Sequence, residues 1–266
     1  MTDLNYSFVT TADGERHLAL QATELFRFNS SILGLGEISD STAGNWNARS
    51  DVMTAIFDLE GFTKFSAQPD AHLLVPVFLE SFLSWLFLKI KNEFVKTETD
   101  AGILLWSYLP FFAKFMGDGV LLLWKIPHDT KVGGDPAVGN ILVRSHNICR
   151  AFSDEFLPRI RERVHSPPQR LRCGIARGNI IVIGNGKDFV GPCINIASRL
   201  QKLGKLSFAV HRTGIDPENC LESPWREQYV LKKISIRGVA EEQLVLVDRI
   251  EVNALAEPES LLFSDP

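Results

Sequence analysis

LPFFAKFMGDGVLLLW, Leu109 to Trp124, decides how this chain is read. Two apolar runs flank Gly117-Asp118-Gly119, which predicts a hairpin with strands over Phe111–Met116 and Val120–Trp124. One lysine, Lys114, stands inside the first strand. A charged side chain in an apolar strand is costly without a partner. Lys114 therefore reads either as an edge-strand lysine or as a cation aimed at a base edge or a phosphate. Upstream, TAIFDLEGFTKFS (Thr54 to Ser66) ends an apolar strand, Val52–Phe57, at Asp58. Taken singly, Asp58 reads as a helix cap and Asp118 as a turn residue. Taken together they are two carboxylates at strand ends, a donor set for a hard divalent cation and hence for phosphate chemistry.

The rest of the chain can support such a site. Its 266 residues suffice for one large domain or two small ones, and 45% hydrophobic content supplies a core. A net charge of -4 gives no global basic field, so neither nucleic acid nor an anionic membrane is the expected partner. Cys149, Cys173, Cys193 and Cys220 form no CxxC pair. They read as free, reduced thiols of a cytoplasmic protein rather than zinc ligands. MTDLNYSFVT lacks a basic region followed by an apolar block, so no signal peptide is expected. The most apolar window, Leu73–Ile90, is interrupted by Pro76, Glu80, Ser81, Ser84 and Lys89. It reads as a helix buried on more than one side, not as a membrane span.

Residues 1–50 read as a polar N-terminal arm, with a short amphipathic helix over His17–Phe28 and a linker over Ser39–Ser50. Residues 51–250 read as the folded domain that carries the candidate site and 251–266 as an acidic, frayed tail. Within the domain, Pro76–Lys96 is expected to be a helix with Pro76 in its first turn. Asp135 is expected to cap a second helix, which presents Ile141, Leu142, Ser145, Ile148, Cys149, Phe152 and Phe156 at helical spacing. Arg170–Ala176 and Asn179–Ile183 read as a hairpin turning at Arg177-Gly178. Cys193–Leu203 reads as a helix, and Leu206–His211, Glu227–Ile236 and Gln243–Ile250 as strands. Strands separated by long helices predict an α/β fold with a mixed sheet, most simply a ferredoxin-like core with extra C-terminal strands. Asn195 and Arg199, at i and i+4, share a helix face, and an amide beside a guanidinium suits a ribose oxygen and a polyphosphate. Alone, that pair reads equally as a solvated surface.

FDLEGFT, KFMGDG, RCGIARGNIIVIG and VGPCINIASRL, in this order and spacing, resemble the catalytic domain of class III nucleotidyl cyclases over Val52–Ile250. The resemblance implies that Asp58 and Asp118 bind two divalent ions, Mn2+ or Mg2+, with a backbone carbonyl of Ile56 or Leu59. It implies that Lys114 and Asp188 read the base, that Asn195 orients the ribose and that Arg199 stabilises charge on the transferring phosphate. Arg237 stands where a lysine usually grips the triphosphate; it keeps the charge and changes the geometry. The implied reaction is in-line attack of the ribose 3′-hydroxyl on the α-phosphate with loss of pyrophosphate. Alanine at Asp58 or Asp118 is expected to abolish it and leave the fold intact. The family also implies a head-to-tail homodimer with both active sites at its interface, to which the apolar helix could contribute. In that arrangement Lys114 faces the nucleotide of one site, while Asp118, four residues on, holds metal in the other.

The single-domain layout and GFTKFSAQPDAHLLVPVFLESFLSWLFLKI are similar to bacterial Pycsar-type pyrimidine cyclases, which make cyclic UMP or cyclic CMP as an antiphage signal. That resemblance implies UTP as substrate, a separate cyclic-nucleotide effector downstream and no fused sensor domain. The competing readings are a cytidylate cyclase, a stand-alone adenylate cyclase and a nucleotide-binding pseudo-cyclase. The last is disfavoured because no aspartate, asparagine or arginine of the motifs is lost. A diguanylate-cyclase-type or polymerase-palm domain is disfavoured by the lack of a GGDEF-like sequence.

Overall fold

The computed structural model describes residues 6–10, 16–20, 50–99, 103–107, 109–126, 136–183 and 188–266. In chain order the first elements are strands β1 (Tyr6–Thr10), β2 (Arg16–Leu20) and β3 (Ser50–Glu60), then helices α1 (Phe62–Ser66) and α2 (Ala71–Phe94). Strands β4 (Val95–Thr99), β5 (Ile103–Ser107), β6 (Phe112–Phe115) and β7 (Gly119–Lys125) follow. Helix α3 (Pro136–Ala151) runs through a π-helical turn, Phe152–Phe156, into α4 (Leu157–Ile160). Next come β8 (Arg170–Ile183), β9 (Asp188–Val190), α5 (Pro192–Leu200) and β10 (Phe208–His211). The chain closes with α6 (Pro217–Cys220), α7 (Ser223–Gln228), β11 (Tyr229–Ile236), β12 (Ala240–Asp248), α8 (Arg249–Asn253) and a 3-10 turn, Glu259–Leu262.

Val52 to Leu59 of β3 are buried without a break. Such continuous burial marks a strand covered on both faces, and β3 lies inside a sheet of order β11-β12-β10-β8-β3-β7-β6, with β9 paired to the end of β8. Strands β3, β6, β7 and β8 with α2 and α3 form the β-α-β-β-α-β arrangement of a ferredoxin-like core. Only β10 runs parallel to its neighbour β8, so the sheet is mixed. The expected α/β fold and its C-terminal strands are thus observed. The β6–β7 hairpin is also as expected: Phe115 pairs with Val120, and Gly117 takes φ +95, open to glycine at little cost.

The two sheet faces carry different helices. Even-numbered β8 residues face α5: a Cβ on Gly174 would lie 2.2 Å from the carbonyl oxygen of Ala197, and one on Gly178 would lie 3.2 Å from Cβ of Cys193. Odd-numbered Cys173 instead meets Cys149 of α3. These glycines correct the expected hairpin. Arg170–Ile183 is one continuous strand antiparallel to β3, and Gly178 serves close helix packing rather than a turn.

Other expectations are corrected as well. Arg16–Leu20 is a strand paired with Tyr6–Thr10, not the start of a helix; residues 21–28 lie outside the described residues, as do residues 39–49 of the linker and Asp135. Helix α2 begins at Ala71, so Pro76 sits inside it. It buries Phe78, Phe82, Leu86, Phe87, Ile90 and Phe94 on one side, whereas Leu73 and Leu88 are exposed. By length and composition alone this helix could cross a membrane; its phenylalanine side packs into the core. All seven inward positions expected of the second helix are buried. The π-turn holds Phe152 and Phe156 against Phe82 and Trp85. The tail does not fray: Lys233 and Ser264 exchange backbone hydrogen bonds of 2.8 and 3.1 Å.

A buried polar cluster ties α3 to the last two strands. His146 Nδ1 lies 3.0 Å from the Tyr229 hydroxyl, Nε2 lies 3.7 Å from Asp248, and the ring stacks on Phe208 at 4.7 Å. Burial pushes the imidazole down to about 4, with Asp248 opposing and Arg150 adding to the shift. Below the ordinary pKa of about 6.5, the unfolded chain therefore takes a proton that the folded chain refuses. Stability is unaffected by this group above that value and falls between pH ~6.5 and ~4, by on the order of 3 kcal/mol in total. Urea titrations of wild type and His146→Gln across that window should give a flatter pH dependence for the variant. Parallel curves would remove His146 from the account.

Candidate active site

Asp58 and Glu60 alternate on one face of β3, and Arg172 and Arg170 alternate on β8. The antiparallel register sets Asp58 opposite Arg172 and Glu60 opposite Arg170. Opposite charges across strands attract, and both contacts form: Arg172 Nη2 donates to Asp58 Oδ2 at 2.6 Å, and Arg170 Nε lies 3.1 Å from Glu60 Oε2. Arg172 also reaches toward Glu60, at 4.0 Å. Asp58 is only 5% exposed. Burial pushes its carboxyl above the ordinary carboxylate range, Arg172 pulls the other way, and the negative charge of Asp118 adds to the rise.

Asp118 reaches this corner because the β6–β7 turn folds beside the end of β3. Gly119 pairs with Asp58, and the Leu59 N–H donates to the Asp118 carbonyl at 3.0 Å. The backbone of Leu59 thus lies between the two aspartates, while Ile56 is held deeper in the sheet, in register with Leu121 and Gly174. Among the described residues no cluster of three or more acidic, histidine or cysteine side chains could cage a metal. Two carboxylates with a nearby backbone carbonyl instead fit an ion that draws its remaining oxygens from phosphate and water.

Lys114 shares the sheet level of Leu121, Ile56 and Gly174, which places it on the face that carries α5. It forms an ion pair and hydrogen bond with Asp188 at the start of β9. Partial burial raises the Asp188 carboxyl, but Lys114 and the Phe189 N–H outweigh it and hold it below the ordinary range. Phe189 packs edge-on to Phe111 and Phe112 at 5.6 and 4.7 Å. That aromatic contact anchors β9 across the β6 strand.

Asn195 and Arg199 both lie exposed on α5, where they share a face as expected. Arg199 donates to the carbonyl of Arg237 in the β11–β12 turn, and its guanidinium lies over Gly238. Two arginines therefore meet at this turn. Strand β12 is separated from β3 by β10 and β8, so this turn stands three interstrand spacings, roughly 14 Å, from β3. One chain accordingly presents the Asp58, Asp118 and Leu59 corner, the Lys114–Asp188 pair on the α5 face, and Arg199 with Arg237 at the β11–β12 turn; Asn195 lies exposed on α5.

No protein-family model matches the sequence, and no curated protein matches it as a relative. Among solved structures, the guanylyl cyclase Cya2 superposes with a TM-score of 0.52 at 17% identity, over 79% of this chain and 95% of that one. The chain has the class III cyclase fold. An adenylate/guanylate cyclase/hydrolase from Silicibacter pomeroyi also superposes in part (TM-score 0.49, 14% identity, 75% of this chain and 96% of that one). So does a bacterial light-regulated adenylyl cyclase (0.48, 16%, 80% and 55%).

Within this cyclase fold, one residue at the candidate site escaped the sequence reading. Arg172 holds the buried carboxylate that the motifs single out. Its signal was present as alternating charge, Asp58/Glu60 on one strand and Arg170/Arg172 on another, but only the register makes them partners. Arg172 also corrects the expectation that alanine at Asp58 leaves the fold untouched. Removing Asp58 takes the acceptor from a guanidinium that is 14% exposed; unpairing a buried ion pair typically costs about 3–5 kcal/mol, of which Glu60, 4.0 Å away, can offset a part.

Proposed function

We propose that this chain is a nucleotidyl cyclase that converts a nucleoside triphosphate, UTP in our reading, into the 3′,5′-cyclic monophosphate and pyrophosphate. The observation that carries the proposal is the convergence of Asp58 and Asp118 at one corner of a class III cyclase fold that also carries a paired base-reading candidate, Lys114–Asp188. In this scheme Asp58, Asp118 and the Leu59 carbonyl hold two divalent ions, Mn2+ or Mg2+. Such ions, when bound, lower the pKa of the 3′-hydroxyl and offset phosphate charge. Asn195 fixes the ribose so that the 3′-oxygen faces the α-phosphorus in line. The new 3′-O–P bond forms as the α–β phosphoanhydride bond breaks, and Arg199 stabilises the charge that develops. Arg237 binds the triphosphate.

The separation of Arg199 and Arg237 from the aspartate corner supports a head-to-tail homodimer, in which the metal corner of one protomer faces the Lys114–Asp188 pair and the Asn195–Arg199 surface of the other. Lys114 offers a donor and Asp188 an acceptor, which matches O4 and N3–H of uracil. Adenine and cytosine edges can also satisfy that polarity, and the preference for UTP rests on the resemblance of the Gly61–Ile90 segment to pyrimidine cyclases. The same resemblance supports cytoplasmic antiphage signalling through a separate effector protein, and four buried free cysteines fit a reducing compartment.

Purified protein with Mn2+, offered ATP, GTP, CTP and UTP separately and resolved by chromatography and mass, is expected to give mainly cyclic UMP. Dominant cyclic AMP would retain the mechanism and remove the pyrimidine assignment. No cyclic product from any nucleotide would overturn the cyclase reading.

A further inference from the structure

The Asp58–Arg172 contact raises a question of access. Arg172 grips the Asp58 carboxylate at 2.6 Å, yet its buried Nε has no hydrogen-bond acceptor among the described residues. The guanidinium is thus incompletely satisfied where it sits. Glu60 Oε1 is 4.0 Å from Nη1 of the same guanidinium. Glu60 is about one-third exposed and borders a cleft of about 700 Å3 with Gly61, Lys64, Arg161 and His165, so its side chain has room to turn. Its Oε2 pairs with Arg170 at 3.1 Å, which leaves Oε1 on the Arg172 side. Arg172 is therefore a cation shared unequally between two carboxylates, Asp58, which is buried, and Glu60 at the mouth of a cleft.

We propose that Arg172 is a charge latch on Asp58, and that a divalent ion loads at Asp58 only as Arg172 transfers its grip to Glu60. This rests on the reading of Asp58 and Asp118 as the metal-holding pair. A guanidinium and a metal ion compete for the same carboxylate oxygens, and two cations side by side repel. Glu60 relieves both by accepting the displaced fork, whose planar geometry suits a carboxylate. Arg172 is a positioning residue here, and Glu60 acts through it.

The test is Mn2+ binding to the nucleotide-free, full-length protein, read from the EPR signal of free Mn2+. The variants are Arg172→Gln, Glu60→Gln and the double variant, each checked by circular dichroism. Arg172→Gln should bind Mn2+ roughly tenfold tighter, the order that one neighbouring charge exerts on a carboxylate's proton affinity. Glu60→Gln should bind more weakly, because Arg172 is then left wholly to Asp58. In the Arg172→Gln background, Glu60→Gln should have no effect on Mn2+ affinity, since Glu60 acts on Asp58 only through Arg172 and its Arg170 pair lies outside that link. Unchanged or weaker binding by Arg172→Gln would overturn the latch. A Glu60→Gln effect that persists in the double variant would also overturn it, by making Glu60 a direct ligand. Should Arg172→Gln fail to fold, Arg172→Lys, which keeps the charge but loses the fork, should tighten binding by a smaller factor; no change would count against the latch. Absence of Mn2+ binding by wild type at millimolar concentration would instead remove the metal reading itself, and the latch with it.

Discussion

Asp118→Ala is expected to reduce cyclic nucleotide formation by at least roughly a thousandfold while leaving the melting temperature nearly unchanged. The position separates chemistry from stability. Asp118 sits partly exposed in the β6–β7 turn, and its structural contribution is made by its backbone, whose carbonyl accepts from the Leu59 N–H. Alanine keeps that carbonyl, and Gly117 keeps the positive φ of the turn. What alanine removes is one of two carboxylates, and half a donor set that must hold an ion against phosphate and water. Asp58 is the poorer choice for this experiment. Its replacement removes the hydrogen-bond acceptor of Arg172, so lost activity there could reflect an altered β3–β8 junction. Turnover of Asp118→Ala within tenfold of wild type, in a protein with unchanged thermal unfolding, would sink the metal-dependent scheme.

Mixing two inactive variants should restore activity. Asp118→Ala and Arg199→Ala lie in the two residue groups that one chain holds about three interstrand spacings apart across the sheet. In a head-to-tail dimer, a mixed pair contains one site with both lesions and one with neither. Random re-association then places half of the chains in mixed dimers, and half of their sites are intact, so about one quarter of wild-type activity should return. Each variant alone should remain inactive, Arg199→Ala through loss of the charge that stabilises the transition state. No recovery after verified subunit exchange would mean that each protomer carries a complete site, and the division across the sheet would then need another explanation. The variant should also retain its fold, because Arg199 is exposed and contributes one hydrogen bond to the β11–β12 turn.

Local signals in the sequence were sufficient for most elements. The β6–β7 hairpin was legible because glycine at a turn and alternating apolar runs act over a few residues. The inward face of α3 was legible for the same reason: its buried positions recur at helical spacing. Arg177-Gly178 misled, because glycine has two uses that look alike in one dimension. It permits a turn, and it permits another element to approach the backbone. At Gly178 the second use holds, and the neighbour, Cys193, is fifteen residues away along the chain.

Residue types and their spacing were enough for most of the inventory: an α/β fold, the aspartates, the lone lysine in a strand, and the amide and guanidinium on one helix. The tertiary structure alone decided who faces whom. Lys114 and Asp188 are 74 residues apart and become partners only when β9 folds across β6. Asp58 and Arg172, separated by 114 residues, meet because a specific antiparallel register sets one opposite the other. A slip of one residue would turn every β8 side chain to the opposite face, removing Arg172 from Asp58 and driving Cys173, in place of Gly174, against α5. The close glycine–helix contact that fixes this register is a steric fact between distant segments, and no local pattern of residue types encodes it.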